Sequence, residues 1–183
     1  YLFDSGGTYK DGTTDVTRTI SLGENTYEEK LHYTLVTIGM LRLLNTTFRR
    51  GAIGACLDIK AREALWDYGL DYNHGTGHGV GFVNTVHEAP TSIRNKINKD
   101  VYRNLEFEPG MVMSDEPGVY ISGKHGIRME ILMNVVEKQE GFLGFESLTV
   151  APIDSEPLLV DVMTKKDIEF YNKYQKQVYD SIS

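Results

Sequence analysis

Cysteine is almost absent: Cys56 is the only one in 183 residues. It cannot form an internal disulfide, so a disulfide-stapled fold is excluded and a reducing, cytoplasmic setting is expected. Long apolar runs are absent too. None approaches the ~20 residues of a membrane span, and no membrane association is expected. No signal peptide is recognisable. Positive charge is scarce, with 19 Lys and Arg against 26 Asp and Glu, a net charge of −7. No basic stripe is visible, which argues against a nucleic-acid partner. Internal repeats and low-complexity linkers are missing as well. What remains is the balance of a folded globular chain, 40% hydrophobic and 25% charged, long enough for one domain with a real core.

The opening, residues 1–22, is rich in Thr, Tyr, Val and Ile around a glycine-rich middle. It reads as two strands and a connecting loop. Thr26 and Glu29 have capping-box spacing. Leu31, Leu35, Ile38, Leu41, Leu44 and Phe48 then recur at helical intervals. A second helix is expected along Ile53, Leu57, Ala61, Leu65 and Tyr68, with Gly69 as its stop. Residues 72–90 are rich in Gly and His and do not read as helix. Residues 91–109 read as a long polar loop. Strands are expected over Met111–Glu116 and Gly126–Val136, and a final helix from Thr164. The mix predicts an α+β fold, an antiparallel sheet with helices packed on one face. Residues 1–183 are expected to form a single domain with a C-terminal helical extension at about 164–183.

Asp4, Asp15, His78, Glu116 and Glu130 stand out as oxygen and nitrogen donors in glycine-, proline- or strand-rich contexts. Carboxylates gathered with an imidazole repel one another unless cations sit between them, and hard or borderline divalent ions bind such sets. Register decides whether Asp4 and Asp15 meet. A two-residue turn at Asp11-Gly12 would set Asp15 opposite Thr8; facing carboxylates need a loop centred near Tyr9 and Lys10, or a bulge. Taken alone, both could equally be turn or strand-edge aspartates. His74 and His78 have the spacing of a helical zinc motif, but Gly75 stands where its glutamate belongs and the glycines oppose helix. Arg128 and Glu130 share one strand face, which also fits a plain surface ladder.

The motifs in order carry a resemblance. Asp4-Ser-Gly-Gly-Thr-Tyr-Lys-Asp-Gly-Thr-Thr-Asp15-Val-Thr-Arg-Thr19 is followed by the block His74–Gly81 and by Val86-His87-Glu88-Ala89-Pro90. Glu108-Pro-Gly-Met-Val-Met-Ser-Asp-Glu116-Pro-Gly and Gly126-Ile-Arg-Met-Glu130 complete the set. Together they resemble the aminopeptidase P branch of the pita-bread metallopeptidases. That resemblance implies a pita-bread fold and a hydrolase that cleaves the N-terminal Xaa-Pro bond with a hydroxide bridging two divalent metals. Asp4 would hold one metal, His78 and Glu116 the other, and Asp15 and Glu130 would bridge. Mn²⁺ is the expected metal, with Zn²⁺ or Co²⁺ able to occupy such sites.

By the same resemblance, His74 and His87 contact substrate and stabilise the tetrahedral intermediate. Glu116 also shuttles the proton, and Arg128 steadies the carboxylates. The expected partners are peptides with proline in the second position and, in the full-length protein, a second copy of the chain. The resemblance further implies truncation at the N-terminus, upstream of which another active-site histidine and N-terminal domains would lie. Two departures are visible: Ala89 replaces an expected glycine, and the segment from Pro90 to Glu108 is longer than usual. A prolidase or methionine aminopeptidase would share the ligands, but the Asp-Gly-Thr-Thr-Asp-Val-Thr-Arg-Thr string favours aminopeptidase P. A non-catalytic peptide- or protein-binding module, or a metal-free creatinase-like hydrolase, is disfavoured because all five ligand positions are filled.

Overall fold

The computed structural model describes residues 1–97 and 105–183. It opens with a hairpin of β1 (Leu2–Tyr9) and β2 (Gly12–Thr19). Helix α1 (Tyr27–Leu44) follows, then β3 (Thr47–Arg49), α2 (Gly54–Leu57) and α3 (Ile59–Trp66). Seven further strands come next: β4 (Gly77–Gly79), β5 (Glu88–Ile93), β6 (Val112–Asp115), β7 (Gly118–Ile121), β8 (His125–Arg128), β9 (Ile131–Gln139) and β10 (Phe142–Ser147). Helix α4 (Lys165–Ile182) ends the chain. A six-stranded antiparallel sheet runs in the order β3-β10-β9-β6-β4-β5, flanked by the separate hairpins β1-β2 and β7-β8. The expected α+β architecture, with helices packed on one face, is what is observed.

Helix α1 starts where the capping box predicts: Thr26 accepts from the Glu29 amide and Glu29 reaches back to the Thr26 amide. The expected apolar stripe is too narrow, however. Every residue from His32 to Leu41 is buried, because α1 lies between the sheet, α3 and α4. At Gly39 the fit is so close that a Cβ would sit 2.3 Å from the Ala61 carbonyl oxygen of α3. Leu41, Leu43, Leu65, Met113 and Met133 are all fully buried between these layers. Each contributes about 1.5–3 kcal/mol by leaving water.

Several boundaries differ from the sequence reading. Phe48 is not helical: Asn45 caps α1, and Phe48 pairs with Leu143 in the sheet. The second helix is divided at Asp58, whose buried carboxylate is taken by Arg62 and Thr76. α3 ends at Trp66, so Tyr68 lies outside the helix and is exposed, and Gly69 closes the turn that follows at φ +69°. The expected loop from residue 91 instead begins inside β5, which pairs with β4; its residues 98–104 lie outside the described residues. Finally, Gly126–Val136 is not one strand. β8 pairs with β7, whereas β9 pairs with β6 and β10. The backbone changes sheets at Met129 and Glu130, where the Met129 amide donates to the Pro117 carbonyl and the Glu130 amide to the Thr17 carbonyl.

Candidate metal centre

The β1-β2 hairpin turns at Lys10-Asp11, so Gly6 faces Asp15 and Asp4 faces Thr17, without a bulge. This register is neither of the two weighed from the sequence, and Asp4 and Asp15 are not directly opposite one another. They lie diagonally on one face, since side chains two apart along a strand point the same way. Asp15 is buried and Asp4 is exposed.

Opposite this face, β4 presents His78 between Gly77 and Gly79. A Cβ at Gly77 would lie 2.0 Å from the Ser114 carbonyl oxygen, so glycine alone lets β4 approach β6 this closely. The His78 Nδ1 is 3.0 Å from the Gly79 carbonyl. A carbonyl only accepts, so Nδ1 carries the proton and Nε2 faces the acids. Nε2 is 3.1 Å from Glu116 Oε1 and 3.5 Å from Asp15 Oδ2. Glu116 follows the end of β6, as expected, and Ser114 donates to its Oε1 at 3.1 Å.

Glu130 sits at the crossover between β8 and β9. Donor atoms of Asp15, His78 and Glu130 all lie within 4.8 Å of one another. Thr17 donates to Glu130 Oε2 at 2.8 Å. Arg128 donates to Asp4 Oδ2 at 2.8 Å and to the Thr17 hydroxyl at 3.1 Å.

The electrostatics are those of crowded acids. Burial, with the charges of Glu116 and Asp15, pushes the Glu130 carboxyl up to about 8, against the Thr17 hydrogen bond. Burial also raises Asp15; Asp4 and Glu116 add to this, and His78 opposes it. For His78, burial disfavours the charged ring, but the bonds to Glu116 and Gly79 and the charge of Asp15 outweigh it and raise the imidazole. With its carboxyl pushed up to about 8, Glu130 holds a proton near neutral pH that a cation would displace. The oxygen-rich set with one imidazole thus fits divalent metal ions.

The predicted histidines stand at the rim. The His87 ring meets His78 edge to face, centroids 4.4 Å apart. His74 Nε2 is 2.8 Å from the Tyr120 hydroxyl, which also accepts from Arg128 at 3.2 Å. Tyr120 was missed by the sequence reading, as was Thr17. Recognising β7 would have revealed Tyr120, because β7-β8 pairing sets Gly118 opposite Arg128. A cavity of ≈ 630 Å³ is lined by Gly79, Val80, Phe82, Pro90, Met111 and Leu132 among others.

Residues 1–137 match metallopeptidase family M24, and residues 141–183 match the C-terminal region of peptidase M24. The chain belongs to metallopeptidase family M24. Among its M24 relatives, a "Probable Xaa-Pro aminopeptidase P" of Talaromyces marneffei is 43% identical over 190 residues, covering 100% of this chain and 28% of the relative. One of the same name from Tuber melanosporum is 42% identical over 187 residues, covering 98% and 30%. An X-prolyl aminopeptidase from Caenorhabditis elegans, described as a cytosolic enzyme with a di-nuclear active site, superimposes with a TM-score of 0.89. It is 40% identical, over 97% of this chain and 29% of its own. Prolidase from Pyrococcus furiosus gives a TM-score of 0.68 at 31% identity, over 81% and 40%. This chain thus spans less than a third of the curated M24 relatives it matches.

Proposed function

We propose that the protein is a cytoplasmic Xaa-Pro aminopeptidase that hydrolyses the N-terminal Xaa-Pro bond of peptides at a dinuclear metal site. The observation that carries this reading is the convergence of Asp15, His78 and Glu130 donor atoms within 4.8 Å, with Glu116 beside them. Asp4 would hold one ion, His78 and Glu116 the other, and Asp15 and Glu130 would be shared. Mn²⁺ is the proposed metal. When bound, such ions acidify water and polarise the scissile carbonyl.

The chain's own residues supply the rest. Glu116, on the inner wall of the site, takes a proton from the attacking water and returns it to the leaving nitrogen as the C–N bond breaks. That nitrogen is proline's, which has no N–H before cleavage. His74, fixed by Tyr120, and His87 at the rim hold the substrate and meet the developing oxyanion. Arg128 ties Asp4 to Thr17 and orients the acids from behind. The largely apolar cavity that Gly79 and Val80 help to line offers room for a small ring or side chain.

The test is peptide hydrolysis by the intact Mn²⁺-loaded protein. Release of the N-terminal residue from Xaa-Pro-Xaa peptides is expected. Cleavage of Xaa-Pro dipeptides alone would instead assign a prolidase, and no turnover of either would assign a binding module.

A further inference from the structure

Arg18 is a buried cation, 4% exposed, that no carboxylate touches among the described residues. All of its polar contacts are to neutral oxygens. Nε donates to the Pro152 carbonyl at 2.8 Å. Nη1 donates to the Thr17 carbonyl at 2.9 Å and the Glu130 carbonyl at 2.6 Å. Nη2 donates to the Ala151 carbonyl at 2.6 Å and the Tyr174 hydroxyl at 2.7 Å. Burying a guanidinium without a counter-ion is unfavourable unless its donors are met, and here each nitrogen is. The contact with Glu130 falls where the chain changes sheets, so no regular ladder bond serves that carbonyl. Its amide is held by the other partner, the Thr17 carbonyl.

The far end of the network is α4. Tyr174, itself 2% exposed, also donates to the Ala151 carbonyl at 2.8 Å. Next to it, the Gln175 amide group both donates to and accepts from the Ile153 backbone. Thus α4 grips residues 151–153, those residues and Tyr174 grip Arg18, and Arg18 grips the Glu130 backbone.

We infer that Arg18 and Tyr174 are positioning residues through which the C-terminal helix fixes the backbone of Glu130 and so sets the affinity of the metal centre. This rests on the reading of Glu130 as a metal ligand. On it, the C-terminal M24 region serves the metal site although it contributes no ligand.

The experiment is Mn²⁺ titration of the intact protein, followed calorimetrically, for wild type, Arg18→Lys and Tyr174→Phe. The control is Tyr33→Phe, which removes a buried tyrosine hydroxyl bonded to the Asp154 carbonyl at 2.8 Å, with no contact to Glu130. Arg18→Lys should weaken Mn²⁺ binding about tenfold or more, and Tyr174→Phe about threefold. Tyr33→Phe should leave it unchanged at a similar loss of melting temperature. If Arg18→Lys does not fold, Tyr174→Phe against Tyr33→Phe decides. Affinity equal to wild type in Tyr174→Phe, or an equal loss in Tyr33→Phe, overturns the inference. Failure of wild type itself to bind Mn²⁺ would instead overturn the ligand reading.

Discussion

The Thr17 hydroxyl spans from β2 to the Glu130 carboxylate at 2.8 Å and accepts from Arg128 at 3.1 Å. One buried hydroxyl therefore sets the orientation of an acid and a base two residues apart, where the chain leaves β8 for β9. Thr17→Val keeps the shape and deletes the hydroxyl. It leaves the carboxylate and the guanidinium each short of a partner, which costs about 1–3 kcal/mol. Mn²⁺ affinity should fall about 10–100-fold. Chemical denaturation and metal titration of the same variant check both.

The acid cluster predicts how the metal-free protein responds to pH. Glu130 has an ordinary value of 4.5 and is pushed up to about 8 in the fold. The folded state therefore binds more protons than the unfolded chain between these values. Its contribution to stability is fully present below about pH 4.5 and is lost as pH rises through about 8. Asp15 and His78, also raised, act in the same sense. Metal-free melting temperature should decline across this window. Mn²⁺ should abolish the decline and release protons on binding, which calorimetry in buffers of different ionisation enthalpy detects.

Asp167 gives the opposite sign. Burial opposes its ionisation, but Arg42, at 2.8 and 3.0 Å, and the Thr164 cap outweigh it and hold the carboxyl below its ordinary 3.8. Its stabilisation is present above that value and is lost as pH falls through the lowered one. Asp167→Asn should destabilise by about 2–3 kcal/mol at neutral pH. The gap from wild type should close in acid, as paired urea melts at neutral and low pH would show.

Gly77→Ala should be severe for its size. The added methyl meets the Ser114 carbonyl at 2.0 Å, backbone against backbone. β4 must move off β6, at a cost of about 1–3 kcal/mol, and His78 moves with it. Loss of Mn²⁺ binding larger than that of an alanine substitution at exposed Gly110 is expected in a side-by-side titration.

Much of this site could be read in the sequence because its donors sit beside glycines and prolines that break ordinary patterns. His78 and Glu116 stand out that way, whereas Asp4 and Asp15 stand out on two strands around a glycine-rich loop. Glu130 was the hardest, because alternation along Gly126–Val136 continues unbroken while the hydrogen-bond partners change at Met129 and Glu130. Alternation reports which face a side chain takes, not which strand pairs with it. The hairpin register is open in the sequence for a related reason: a turn at Asp11-Gly12 and a loop near Tyr9 and Lys10 both fit, and the chain turns between them, at Lys10-Asp11. Thr17 and Arg18 stand inside the Asp15–Thr19 string, yet nothing local gives their roles, which arise from contacts with Glu130 and, for Arg18, with Tyr174, all more than 100 residues away in sequence.

The dinuclear reading is tested most directly by anomalous diffraction at the manganese edge from crystals of the Mn²⁺-loaded intact protein. Two peaks are expected, both enclosed by Asp4, Asp15, His78, Glu116 and Glu130. No peak among these residues, or manganese bound only elsewhere, would contradict it.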